Sequence, residues 1–146
     1  MKAIRIHEHG GPEVLRYEEI PEPVAGAHEV LIRVRAGALN HLDLFLRQGI
    51  RGQKIPLHVL GSDVAGDVAA LGEGCSRVKL GQRVLLAPSQ SCRQCAQCAA
   101  GLDNYCRQYT VLGYFNDGGN REFMAVPEVY AIPIPESLSY EDAAAV

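Results

Sequence analysis

The chain has 146 residues, 47% of them apolar, which is enough to bury most of the surface an unfolded chain exposes, so one globular domain is the default. Its 17 acidic and 14 basic residues leave a formal charge of −3, and the basic side chains are scattered singly, which argues against nucleic acid as a partner. Lys2, Arg5 and Glu8 interrupt any apolar leader and no later stretch approaches membrane-spanning length, so a cytoplasmic protein that engages no membrane is expected.

Lys2 to Ile6 alternates as a half-buried strand does, and a second strand from Val14 to Ile20 follows the Gly10-Gly11-Pro12 turn. Glu29 to Ala38 alternates again, with Val30, Ile32, Val34 and Ala36 on one face. At Asn40 the period changes. Leu42, Phe45 and Leu46 form the apolar face of a short helix that ends by Gln48, with Gly49 placed as a left-handed cap. Val64 to Leu71 and Val78 to Leu86 are expected to pair as strands around Gly72-Glu73-Gly74. Two short strands follow at Glu122–Val126 and Val129–Ile132, and Pro127, Pro133 and Pro135 restrict them to short or edge positions. Ser139 with Asp142 three residues on is a capping box that opens a helix through Ala143-Ala144-Ala145, and a helix so short is expected to continue in a longer protein.

Four of the five cysteines fall within fifteen positions, too crowded for a disulfide framework that ties distant segments together. Their spacing, Cys92-x2-Cys95-x2-Cys98-x7-Cys106, lets four thiolates close on one tetrahedral ion, and zinc suits that donor set. With every coordination position filled by protein, such a site is structural. An iron–sulfur cluster is the rival chemistry, since the bacterial ferredoxin run also opens C-x2-C-x2-C but continues x3-C-P. Here the last gap is seven, and Arg107 follows Cys106. Cys75 stands apart and is expected to be an ordinary unliganded thiol.

The order of Met1-Lys2-Ala3, Glu29-Val30-Leu31-Ile32-Arg33-Val34, Ala38-Leu39-Asn40-His41-Leu42-Asp43, Val59-Leu60-Gly61-Ser62-Asp63-Val64-Ala65-Gly66, Val78-Lys79-Leu80-Gly81-Gln82-Arg83-Val84 and the cysteine loop resembles one family over essentially the whole chain. It is the N-terminal, GroES-like catalytic domain of the medium-chain dehydrogenase/reductases, which include zinc alcohol dehydrogenases and quinone oxidoreductases. The resemblance implies a mainly β fold with short helices, a partly open β-barrel over residues 1–136 carrying a structural zinc loop at 89–110. Residues 137–146 would then begin the helix leading to a Rossmann domain that holds NAD(P), with a small-molecule substrate in the cleft between the two domains and a homo-oligomer at full length. This sequence has no G-x-G-x-x-G turn between a strand and a helix, so hydride transfer by residues 1–146 alone should be negligible.

Departures from the family pattern set the expected chemistry. Zinc alcohol dehydrogenases carry a cysteine at the position of Asn40 and Gly-His-Glu at Gly61-Ser62-Asp63. An amide and a hydroxyl are poor ligands for zinc, so reduction of a quinone or enone without catalytic zinc is the expected activity. The alternatives are a zinc-dependent alcohol dehydrogenase with rearranged ligands and a free-standing zinc-binding scaffold module. By the same resemblance Asn40 and His41 match positions near the nicotinamide ribose and the cofactor phosphates, and Phe45 falls where quinone reductases often have a cleft-facing tyrosine. Plainer roles are also open: Asn40 as a helix cap with Asp43, which would do nothing more, His41 as a solvated first-turn residue, and Phe45 as core. His58 is expected to be a loop residue, and His58 with Asp63 is a weak metal-binding pair at best.

Overall fold

The computed structural model describes residues 1–50 and 57–146. In chain order these residues form β1 (Lys2–Ile6), β2 (Leu15–Glu19), β3 (Glu29–Ala38), α1 (His41–Gln48), β4 (His58–Val59), β5 (Asp63–Leu71), β6 (Arg83–Leu86) and β7 (Ser89–Gln90). They continue with α2 (Ala96–Ala99), β8 (Thr110–Val111), β9 (Phe123–Pro127), β10 (Ala131–Pro133) and α3 (Tyr140–Ala144). The strands build three open antiparallel sheets in the orders β2-β1-β4, β10-β6-β5-β3-β9 and β7-β8.

The five-stranded sheet follows from the alternation in β3. Val30 and Ile32 are fully buried while Arg33 and Arg35 face outward. Register shifts between Leu31 and Ile32 and between Val34 and Ala36 bend β3 against β5, which curves the sheet around its core. That core gathers Val30, Ile32, Val64, Val68, Val84, Leu86, Leu112 and Met124. The prolines sit where a missing N–H costs least: Pro127 and Pro133 end the two edge strands, β9 and β10.

A second apolar cluster seats α1. Leu46 packs with Ile6, Val14 and Leu60, and Gly49 closes the helix at φ 98°, its N–H donating to Phe45 O at 2.9 Å. A third cluster lays Ala143 and Ala144 of α3 on Ala65 of β5. Ser139 caps α3, its Oγ accepting the Asp142 N–H at 3.0 Å as the capping box requires. No helix among the described residues is long and apolar enough to cross a membrane.

Three sequence expectations are corrected. β5 and β6 pair, but β6 begins only at Arg83 because Gln82 N–H bonds Lys79 O at 3.0 Å and Gly81 adopts φ 75°, turning the chain there. The connection therefore runs from 72 to 82, longer than the loop expected to end before Val78. Val129 and Tyr130, expected to open a strand, belong instead to a 3-10 turn at Glu128–Tyr130 ahead of β10. His58, expected in a loop, is a buried residue of β4 paired with Ile6.

Candidate metal centre and cleft residues

The cysteine loop leaves the sheet at β7 and returns at β8, and the pairs Ser89↔Val111 and Gln90↔Thr110 close its base. Between Ser91 and Tyr105 no residue is buried, so apolar packing does not hold this segment in place. Its four cysteines nevertheless converge, with all four Sγ atoms within 4.8 Å of one another. Cys95–Cys98 is 3.6 Å, Cys92–Cys98 3.9 Å and Cys95–Cys106 3.9 Å. Four sulfurs at a zinc–sulfur distance of about 2.3 Å stand about 3.8 Å apart on a tetrahedron, so these residues fit the ion. The same separations are far longer than a disulfide bond of about 2.05 Å.

The electrostatics of the loop point the same way. Backbone N–H groups of Gln94 and Cys95 hold the Cys92 thiol down at about 6. Cys98 feels a lowering hydrogen bond from Ser91, but burial and the neighbouring Cys95 and Cys106 sulfurs carry it up to about 11. The hydrogen bonds of the loop thus favour the thiolate at Cys92, while burial and the neighbouring sulfurs disfavour it at Cys98. A divalent ion removes that conflict by accepting all four as thiolates. The amides of Cys92 and Gln108 donate to Cys106 Sγ at 3.4 and 3.3 Å, placing positive dipoles toward the sulfur charge. Cys75 is separate from the cluster: its Sγ donates to Glu29 O at 3.2 Å against the main core.

The second group of sequence-selected residues lies where α1 begins and β5 begins. Asp43, 4% exposed, accepts the Asn40 N–H at 2.8 Å through one carboxylate oxygen and the Gly61 N–H at 2.8 Å through the other. It is more than the helix cap its position suggested, because it bolts α1 to the β4–β5 loop. The Asn40 side-chain amide donates to Asp63, across the same junction. Burial pushes the Asp63 carboxyl up, the Asn40 amide pulls against that shift, and the Asp43 charge adds to it. Between them Ser62 is 4% exposed, and its Oγ is buried without a hydrogen-bond partner.

Backbone geometry explains this loop. Gly61 stands at φ 104°, a conformation side-chain-bearing residues rarely adopt, and the Gly118 and Gly119 N–H groups donate to Val59 O at 2.7 Å and Gly61 O at 2.8 Å. A Cβ on Gly118 would lie 2.2 Å from Gly61 O, so the approach needs glycine. Nothing in the local sequence pattern paired 118–119 with 59–61.

Asn40 and His41 are exposed, and Phe45 is 54% exposed with its ring 6.1 Å from that of His41. Phe45 is therefore not a core residue. His58 is committed elsewhere than to Asp63: its Nε2 lies 2.9 Å from Gly113 O and its Nδ1 3.5 Å from Asp117. Among the described residues, the four cysteines are the only group of three or more potential metal ligands that converge.

A mainly antiparallel open-sheet domain with a four-thiolate loop and a polar junction at α1 matches a known class along most of its length. Residues 26–136 match the alcohol dehydrogenase GroES-like domain, and the chain belongs to that family, within the medium-chain dehydrogenase/reductases. An alcohol dehydrogenase of Schizosaccharomyces pombe is 34% identical over 143 residues, which cover 96% of this chain and 41% of that protein. A quinone oxidoreductase of Rattus norvegicus is 32% identical over 148 residues, covering 100% of this chain and 37% of its own. The crystal structure of an NAD-dependent alcohol dehydrogenase superposes with a TM-score of 0.95 at 43% identity, over 100% of this chain and 43% of that one. The chain thus spans about two-fifths of the length of these relatives, which are oxidoreductases.

Proposed function

We propose that this chain is the substrate-side domain of a cytoplasmic NAD(P)H-dependent oxidoreductase that reduces a small activated acceptor, a quinone or enone, without catalytic zinc. In this reading residues 1–136 form the domain, and Cys92, Cys95, Cys98 and Cys106 hold one structural zinc within the 89–110 loop. Residues 137–146 open the helix toward a Rossmann domain. The nicotinamide cofactor supplies the hydride when bound, and support for it comes from the NAD-dependent relative.

The observation that carries the proposal is the donor set at the junction. Where zinc alcohol dehydrogenases place thiolate and imidazole, this chain has an amide, Asn40, hydrogen-bonded to a carboxylate, Asp63, beside the Ser62 hydroxyl. These groups position and polarise through hydrogen bonds; they are a poor set for a borderline-soft ion. The bond to Asp63 fixes the Asn40 side chain in one orientation, so a contact from that amide to a ribose hydroxyl carries little ordering cost. His41 and Phe45 lie on the exposed side of the same helix start, open to a cofactor or substrate.

The test uses the full-length protein. NAD(P)H-dependent quinone or enone reduction should exceed oxidation of simple alcohols, and brief chelation that leaves the cysteine-bound zinc in place should not alter it. The sequence likeness to the Schizosaccharomyces pombe alcohol dehydrogenase favours a second reading, metal-dependent alcohol oxidation. Robust chelator-sensitive alcohol oxidation would establish that reading and overturn the first.

A further inference from the structure

We propose that Tyr130 and Ser91 are positioning residues for the metal loop, holding the first and last cysteine ligands in register from a point on the folded sheet. The inference rests on the reading that the four cysteines bind zinc. Tyr130 is 7% exposed and ends the 3-10 turn at 128–130, directly ahead of the edge strand β10. Its hydroxyl accepts the Ser91 N–H at 2.7 Å and donates to Ser91 O at 2.5 Å. One phenol thus satisfies both backbone groups of the residue before Cys92, across 39 positions of sequence.

Ser91 passes the constraint on. Its Oγ donates to Asp103 Oδ1 at 2.6 Å, at the start of the 3-10 turn Asp103–Tyr105 that delivers Cys106. The Cys92 N–H then donates to Cys106 Sγ at 3.4 Å, which closes the ring. Both arms of the loop are therefore tied to one side chain of the sheet. No residue from Ser91 to Tyr105 is buried, and the backbone bonds of α2 and the turns after it are local, so these hydrogen bonds and the ion are what tie the segment to the rest of the fold. A loop ordered before the ion arrives gives up less entropy on binding, and one tied down afterwards opens less often to release it. Groups behind the ligands of a metal site commonly change metal affinity by about 10–100-fold when removed.

The experiment follows release of metal from the full-length protein carrying cobalt(II), whose charge-transfer band with thiolates reports the four-sulfur site specifically. Loss of the band to excess chelator is timed for the wild type, Tyr130→Phe, Ser91→Ala and Glu128→Gln. Glu128 lies on the same 3-10 turn but accepts from Ser76 and Arg77, away from the loop. Tyr130→Phe, whose hydroxyl bonds only the Ser91 backbone, should lose the band about tenfold faster or more with its initial shape unchanged, Ser91→Ala should also lose it about tenfold faster or more, and Glu128→Gln should release at the wild-type rate. If Tyr130→Phe does not fold, Ser91→Ala carries the same expectation alone. Unchanged release in the folded Tyr130 and Ser91 variants, or equal acceleration in Glu128→Gln, overturns the proposal. Absence of the thiolate band in the wild type instead refutes the four-cysteine metal reading, and the proposal with it.

Discussion

Replacing Asp43 by asparagine tests how α1 is fastened to the loop that carries Ser62 and Asp63. The buried carboxylate accepts two backbone N–H groups, from Asn40 and Gly61, each at 2.8 Å. An amide keeps one acceptor oxygen and turns an NH2 group toward the other N–H, so one charge-assisted bond is lost and a donor faces a donor. A hydrogen bond to a charged group contributes roughly 1.5–3 kcal/mol, and a buried donor left unmet costs roughly 1–3 kcal/mol. These overlap, which puts the loss at about 2–4 kcal/mol. For a domain of this size that is a fall in melting temperature of roughly 5–15 °C. Hydrogen exchange followed by mass spectrometry should also show faster exchange in the segments containing Asn40 and Gly61, with β3 and β9 unchanged. An unaltered melting temperature together with unaltered exchange at Gly61 would refute the bolt.

Three further outcomes are expected. Cys98→Ser should lower metal content from one zinc per molecule and loosen residues 89–110 in hydrogen exchange while the five-stranded sheet persists; global unfolding would instead make the loop part of the core. Asn40→Ala in the full-length protein should weaken cofactor binding or turnover. Because it removes the hydrogen bond that restrains the raised Asp63 carboxyl, it should also steepen the loss of stability as pH rises above the ordinary aspartate value of 3.8, a slope read from melting temperature against pH. Glu128 behaves oppositely: N–H groups of Arg77 and Ser76 lower its carboxyl, so its contribution is present above the ordinary 4.5 and lost as pH falls. Glu128→Gln should flatten that acid-side decline, and an unchanged acid limb would show that this carboxylate does not govern it.

Short-range periodicity and spacing made β1, β3, α1 and the cysteine loop legible in the sequence. Alternation of Val30 and Ile32 with charged residues reports a half-buried strand wherever the strand sits, and four cysteines at x2, x2 and x7 carry their ligand geometry within one loop. The N-cap at Ser139 is likewise a local motif: its hydroxyl accepts the Asp142 N–H, while the Asp142 carboxylate bonds that hydroxyl and not the Ser139 backbone of a full capping box. The family pattern singled out Asn40–Asp43 and Gly61–Asp63, two segments that the fold brings together, but not the bonds between them. That Asp43 reaches Gly61, that Asn40 spends its amide on Asp63 and that Phe45 stays exposed were decided by how α1 packs against the β4–β5 loop, and that His58 turns to Gly113 and Asp117 by how residues 113–117 return to β4. Tyr130 carried no signal at all, since a lone tyrosine between Val129 and Ala131 looks like any other until β10 pairs with β6 and brings its hydroxyl to Ser91. Periodicity reports the environment of one segment; a hydrogen bond between residues 18, 39 or 55 positions apart depends on the closure of the whole chain, which no local pattern encodes.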